Sequence, residues 1–271
     1  MARIDLDAPV YALIWPVIRL NWPPLLSTSI LVTAAEVAPD LVVLPEGVST
    51  PQEFELAVIV VVMLAWVLAE TSIAFAVFPT LLTAGLLHGY EALRRATFPR
   101  MATFVGVQFL MVLASVFLLA TVLVIGPTLG MASAEAILDS PNLPLTTAIS
   151  LLVMLLLGMT LPDIVMTGRV SLGRAMRTAV RNLRSLIIGL VIGAGLFWWG
   201  GEYTGALADA AAPDASSGEG VSSQFVALTY ASVTLTILGI IAASIVLAKI
   251  YRRELPPAAV LEAGRVAEVF D

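Results

Sequence analysis

Residues 56–87 read LAVIVVVMLAWVLAETSIAFAVFPTLLTAGLL, and Glu70 is the one charged residue in this run. A helix rises about 1.5 Å per residue, so a run of this length exceeds the roughly 30 Å hydrocarbon core of a bilayer. Two crossings would need about 40 apolar residues and a turn. The run therefore predicts one long membrane-spanning helix, tilted or kinked near Pro79, that projects into the cytoplasm.

The composition of the whole chain also indicates a membrane location. Of its 271 residues, 59% are hydrophobic and 13% are charged, whereas soluble domains carry about 25% charged residues. The mean hydropathy is +0.97. We predict an all-α, polytopic integral membrane protein with six transmembrane helices. The predicted spans cover residues 23–40, 56–90, 102–125, 145–166, 186–201 and 225–249.

The two ends of the chain differ from these spans. Residues 1–22 carry Trp15, Arg19 and Trp22, which are typical of the headgroup layer, and predict a short interfacial helix before the six-helix domain at 23–250. They contain no short apolar core followed by a small-residue cleavage site, so we expect no cleaved signal peptide. Residues 251–271 form a predicted cytoplasmic tail.

The basic residues predict the orientation of the chain. Loops 126–144 and 202–223 contain no Lys or Arg, whereas residues 169–184 contain five arginines. With the amino terminus inside, all 14 basic residues fall on the cytoplasmic side. One span more or fewer would place basic residues on both sides of the membrane. We expect a multi-pass plasma-membrane protein with both termini in the cytoplasm. The acidic outer loops fit either a salt-loving host or drift in the exposed loops of a GC-rich genome.

Several function classes have no support in the sequence. Cysteine is absent and histidine occurs once, as His88, which leaves no thiol catalysis, no multi-histidine metal site and no Ser-His-Asp triad with a spare histidine. No phosphate-binding glycine loop, nucleophile elbow or HExxH motif occurs. The net charge of -6 argues against nucleic-acid binding. We predict no catalytic residues, no metal site and no cofactor, and therefore a protein that is not an enzyme.

Four residues form a candidate intramembrane polar site: Glu70, Thr71, Ser72 and Asp163. A carboxylate at the centre of a span costs about 2.5 to 3.5 kcal/mol, which the apolar residues before Glu70 can offset. Glu70 is either a proton or cation site, or a structural carboxyl that is hydrogen-bonded to a neighbouring helix. A proton- or cation-coupled carrier that uses Glu70 and Asp163 requires both carboxyls to face one cavity.

Residues 171–185 predict a cytoplasmic amphipathic helix between the fourth and fifth spans. Its arginines recur at intervals of three and four residues: Arg174, Arg177, Arg181 and Arg184. Apolar side chains occupy other faces: Leu172, Met176, Val180 and Leu183. Such a helix can attract anionic lipids, at about 1 kcal/mol per arginine, can dock a cytoplasmic protein, or can simply anchor the topology.

The start of this basic segment resembles a known group of proteins. Residues 161–177 read LPDIVMTGRVSLGRAMR, and a weaker echo, GYEALRR, stands at residues 89–95. This order of an acidic residue, a glycine and then Ala-hydrophobic-Arg resembles a broad group of six-helix membrane proteins. The group includes the membrane domain attached to some glycerophosphodiester phosphodiesterases, whose activity belongs to a separate soluble domain. The resemblance implies a membrane module that brings no catalytic residues.

Three functions remain open on these grounds. The first is a non-enzymatic membrane module that associates with the bilayer, with anionic lipids or with a cytoplasmic protein. The second is a permease subunit of an ATP-driven (ABC-type) exporter, which the size, the six spans and the interfacial helix resemble. Its ATPase would dock near residues 94–100 or 171–185. The third is the proton- or cation-coupled carrier.

Overall fold

The structure is a computed structural model that describes residues 5–38, 52–83, 88–94, 97–125, 145–212 and 222–254. Within these ranges the chain is helical and contains no strand. In chain order the elements are α1 (Val10–Val37), α2 (Gln52–Leu82), α3 (Gly89–Arg94), α4 (Phe98–Ile125), α5 (Leu145–Leu157), α6 (Thr160–Thr167), α7 (Leu172–Arg181), α8 (Leu183–Ile188), a π-helical segment (Gly189–Gly195), α9 (Leu196–Ala210) and α10 (Ser223–Glu254). The predicted outer loop at 126–144 and most of the predicted tail lie outside the described residues.

Four of these helical stretches are long and apolar enough to cross a membrane: Ala57–Leu82, Phe98–Ile125, Leu183–Ala210 and Ser223–Glu254. A fifth is added if the bent pair Thr147–Leu157 and Thr160–Thr167 counts as one span. The fold is therefore that of a helical protein with four or five candidate spans, compatible with a multi-pass membrane protein. Of the predicted first span, 23–40, α1 contains residues 23–37, and α1 is not among these candidates; residues 39 and 40 lie outside the described residues.

The bend of 54° between α5 and α6 follows from Pro162. Proline has no N–H, so it cannot bond to the carbonyl of Gly158 four residues earlier. Leu161 N donates to that carbonyl instead, at 3.0 Å, and tightens the chain into a turn. The predicted fourth span at 145–166 is thus two helices.

The single helix that we predicted over residues 56–90 is also divided. α2 ends at Leu82, and Gly89, with φ 58°, begins the separate short helix α3. A right-handed helix does not continue through a positive φ. Gly89 N donates to Asn21 Oδ1 at 2.7 Å, so this amide is satisfied by α1.

α1 is broken at Asn21, close to the predicted boundary at residue 22 between the interfacial helix and the first span. Asn21 has φ -115° and ψ 16°, and its side chain is fully buried. Its amide nitrogen donates to Val17 O at 2.9 Å, and its Oδ1 accepts from Thr80 Oγ1 at 3.1 Å as well as from Gly89 N. One side chain therefore joins α1, α2 and α3.

α10 lies at the centre of the bundle. It packs against α1, α2, α9 and the π-helical segment, and its residues 241–248 are all buried. Small residues bring these helices close, as in other membrane proteins. Ser232 Oγ donates to Gly201 O across the α9–α10 contact at 2.8 Å. A Cβ on Gly189 would lie only 2.8 Å from Val246 Cγ1.

Candidate functional site

A cavity of about 370 Å³ lies between α2, α4, α5, α9 and α10, with Leu161 of α6 also on its wall. α4 packs mainly against α5, α6 and α2, so space remains between α4 and the α9–α10 pair. Most of the wall is apolar, including Phe78, Phe104 and Trp198. Its polar side chains include Glu70, Gln108, Thr147, Glu202, Thr236 and Ser244.

Glu70 is the one member of the predicted polar site that lines this cavity. Thr71 donates its hydroxyl to Val67 O on its own helix, at 2.7 Å, and neither it nor Ser72 lies on the cavity wall. Asp163 is also absent from the wall. The structure thus does not bring Glu70 and Asp163 together in this cavity, as a carrier using that pair requires.

Glu202, rather than Asp163, shares the cavity with Glu70. The predicted fifth span ends at residue 201, which places Glu202 in an outer loop. In the structure α9 continues to Ala210. The signal that could have revealed this is the small-xxx-small spacing of Gly201 and Gly205, which favours close helix packing rather than a loop.

Thr147 is a second cavity residue that the sequence did not single out. Its side chain is 5% exposed. Its Oγ1 is buried and has no hydrogen-bond partner in the described part of the chain. An unsatisfied buried polar group costs about 1 to 3 kcal/mol, so a hydroxyl on a cavity wall is a candidate ligand contact.

Asp163 belongs to a different cluster, at the junction of α6, α7 and α10. Tyr251 OH donates to Asp163 Oδ1 at 3.1 Å, and Arg174 Nη1 lies 3.6 Å from the same oxygen. Asp163 is 4% exposed, and the side chain of Arg174 is mostly exposed. The carboxylate therefore holds the amphipathic helix α7 to the bundle.

Gly168 lies within the same junction. It ends α6 with φ 72°, and its N–H donates to Ile164 O at 2.8 Å. A Cβ there would lie 2.9 Å from Arg100 Cγ, so α4 also approaches this glycine closely. Asp163 and Gly168, the acidic residue and the glycine of the 161–177 pattern, thus have structural roles where helices meet.

The amphipathic helix has three distinct faces. Its small residues Ala175, Thr178 and Ala179 are buried. Its apolar stripe is exposed: Leu172 52%, Met176 52% and Val180 71%. Arg174, Arg177 and Arg181 are exposed on a further face. The predicted helix over 171–185 is broken at Asn182, so Leu183, which is 43% exposed, and the exposed Arg184 lie on α8.

Two of the four arginines form ion pairs within the protein. Arg174 faces Asp163, and Arg181 Nη1 lies 3.6 Å from Glu254 Oε2. Arg177 and Arg184 have no ion-pair partner among the described residues. Arg177 on α7 and Arg184 at the start of α8 therefore carry two positive charges that the described residues do not pair.

Comparisons with protein-family models, with curated proteins and with solved structures found no match for this chain. The proposals below rest on its geometry and chemistry.

Proposed function

We propose that the chain is a non-enzymatic integral membrane module whose helix α7 binds anionic lipids of the inner leaflet. We further propose that it belongs with the six-helix membrane proteins that residues 161–177 resemble. The observation that carries the lipid proposal is the exposed apolar stripe of α7 beside an exposed arginine face.

The proposed topology has six spans and both termini in the cytoplasm. It combines the four long candidates, the α5–α6 pair and the second half of α1. With this count, α3, α7 and the carboxyl end of α10 share one side of the membrane, and all 14 basic residues fall on that side. Removing the α1 crossing would place Arg3 and Arg19 on the opposite side.

The three faces of α7 match the three surroundings of an interfacial helix. The small residues pack on the protein, the apolar stripe faces the acyl chains, and the arginines face the headgroups. A row of large apolar side chains would be unfavourable in water but is stabilised at the boundary of the bilayer. Arg177 and Arg184 would each contribute about 1 kcal/mol of attraction to an anionic leaflet.

The test is lipid retention in a mild detergent, measured by native mass spectrometry after equilibration with equal amounts of phosphatidylglycerol and phosphatidylcholine. We expect the wild-type protein to retain phosphatidylglycerol in preference. The double variant R177Q/R184Q should lose about thirtyfold in that preference, because two attractions of about 1 kcal/mol are removed. Salt should weaken the wild-type preference, since the Debye length falls from about 10 Å at 0.1 M to about 3 Å at 1 M.

The matched control is R252Q/R253Q, which removes the same charge from the end of α10. It should leave the preference nearly unchanged if α7 is the binding site. Equal loss in both double variants, or no preference in the wild type, would contradict the proposal. An ATPase that co-purifies from native membranes in near-stoichiometric amount would favour the exporter permease instead.

A further inference from the structure

We propose that the cavity between α2, α4, α5, α9 and α10 binds a small organic ammonium ion with an apolar body, and that the Glu70 carboxylate is its counter-charge. The inference does not depend on the lipid contact of α7, since the two sites share no residue. It concerns a ligand inside the bundle rather than at its surface.

The size and the walls of the cavity fit an organic ligand. Its volume of about 370 Å³ lies in the range of small-molecule pockets, about 300 to 1,000 Å³. Phe78 and Phe104, both fully buried, line it together with Trp198. Aromatic faces accommodate apolar groups and attract cations.

The charges on the wall select for a cation. Glu70 and Glu202 both line the cavity, and no Lys, Arg or His lines it within the part of the chain that is described. A low-dielectric cleft with charge of one sign attracts ligands of the opposite sign and opposes those of the same sign. An anionic substrate would meet two carboxylates and, among the described residues of the wall, no basic side chain.

The hydrogen-bonding groups favour an ammonium ion over a bare metal ion. A hard divalent cation needs six or more oxygen ligands, or retained water, whereas this wall is mostly apolar. The buried hydroxyl of Thr147, which has no partner among the described residues, offers an acceptor for an ammonium N–H. A ligand with N–H donors would satisfy Thr147 and Glu70 together.

Exposure indicates how a ligand reaches the cavity. Val116 on α4 is 58% exposed and Glu202 on α9 is exposed, so both lie at its rim. Glu70 is only partly exposed, and Phe104 is fully buried. A cation that enters here passes the carboxylate of Glu202 at the rim before it reaches the carboxylate of Glu70 inside the cavity.

The experiment uses the full chain in nanodiscs and radiolabelled 4-phenylbutylammonium, with empty nanodiscs as background. We expect saturable binding by equilibrium dialysis. Glu70→Gln should weaken the affinity at least about tenfold, which corresponds to about 1.4 kcal/mol. The neutral analogue 4-phenylbutan-1-ol should bind the wild-type protein no better than the ammonium binds Glu70→Gln.

Two further variants keep the test decisive. Glu36→Gln is the matched control, because Glu36 accepts from Trp66 Nε1 at 2.9 Å and does not line the cavity; it should bind normally. Thr147→Val keeps the side-chain shape, so it carries the test if Glu70→Gln does not fold, and it should weaken binding about threefold by removing one hydrogen bond. The proposal is overturned by unsaturable binding, by equal affinity for the ammonium and the alcohol, or by wild-type affinity in the folded cavity variants.

Discussion

Asn21 and Asn182 are two asparagines that stabilise breaks between helical segments in the same way. Their backbones are nearly identical, with φ -115° and ψ 16° at Asn21 and φ -108° and ψ 18° at Asn182. Each amide nitrogen donates to the carbonyl four residues earlier, at 2.9 Å to Val17 O and 3.0 Å to Thr178 O. Such local bonds compete with the helical pattern and favour a break.

The two residues differ in burial, which gives a prediction. Asn21 is fully buried and accepts from Thr80 and Gly89, whereas Asn182 is partly exposed and its amide also donates to Glu254. Asn21→Ala leaves the buried N–H of Gly89 without its acceptor, whereas the Thr80 hydroxyl keeps its bond to Ala76 O at 2.7 Å. We expect the variant to lower the free energy of unfolding by about 1 to 3 kcal/mol. Asn182→Ala should cost less, since water can replace its partners. The measurement is unfolding by dodecyl sulfate in mixed micelles, and equal losses would contradict this role for Asn21.

The glycines of the helices differ in how closely a neighbouring helix packs against them. A Cβ on Gly189 in the π-helical segment would meet Val246 of α10, whereas a Cβ on Gly173 in α7 would meet nothing within 4 Å. Tyr11 OH donates to Ile192 O within the same π-helical segment, at 2.8 Å. The segment is therefore fixed from two sides by α10 and α1.

Replacing these two glycines by alanine should have opposite effects. Gly189→Ala forces Val246 or the backbone to shift, and we expect a loss of about 1 to 3 kcal/mol. Gly173→Ala should be neutral or stabilise the exposed helix by up to about 1 kcal/mol, because alanine favours a helix more than glycine does. Thermal unfolding of both variants in one detergent provides the comparison. A Gly189→Ala variant as stable as Gly173→Ala would show that the close contact with Val246 is unimportant.

The ends of the elements were predicted less well than their centres. The spans at 102–125 and 225–249 lie inside α4 and α10, because an apolar run of that length forms a continuous helix. The predicted fifth span ended too early, because Gly201 lies inside α9 and packs against Ser232 and Thr236 of α10. The second ran too far, since nothing in its hydropathy reveals that Gly89 adopts φ 58° and bonds to Asn21.

The residues of the cavity could likewise be predicted from the sequence only in part. Glu70 could be predicted because it is a lone carboxylate in an apolar run. Its neighbours Thr147, Trp198 and Glu202 come from helices far away in the sequence. They meet because α9 packs on α10, while α5 packs on α4 and on the π-helical segment. The spacing of residues along the chain does not predict that packing. The amphipathic segment was easier, since its periodicity is local and α7 forms over residues 172–181. The predicted end at residue 185 was too late, because the chain breaks at Asn182.

At the scale of the whole molecule, the central claim is a six-span topology with α7 and both termini on the cytoplasmic side. The natural chain contains no cysteine, so single cysteines report their own positions without background. Suitable exposed sites are Asp7 before α1, Arg177 on α7, Ser222 before α10 and Arg253 at its end.

The most direct measurement labels these four single-cysteine variants with a membrane-impermeant maleimide, in intact and in permeabilised cells. We predict that Ser222→Cys is labelled in intact cells, and that Asp7→Cys, Arg177→Cys and Arg253→Cys are labelled only after permeabilisation. Labelling of Asp7→Cys in intact cells would show that α1 does not cross and that the protein has five spans. Labelling of Arg177→Cys in intact cells would place α7 outside and contradict both the orientation and the inner-leaflet lipid site.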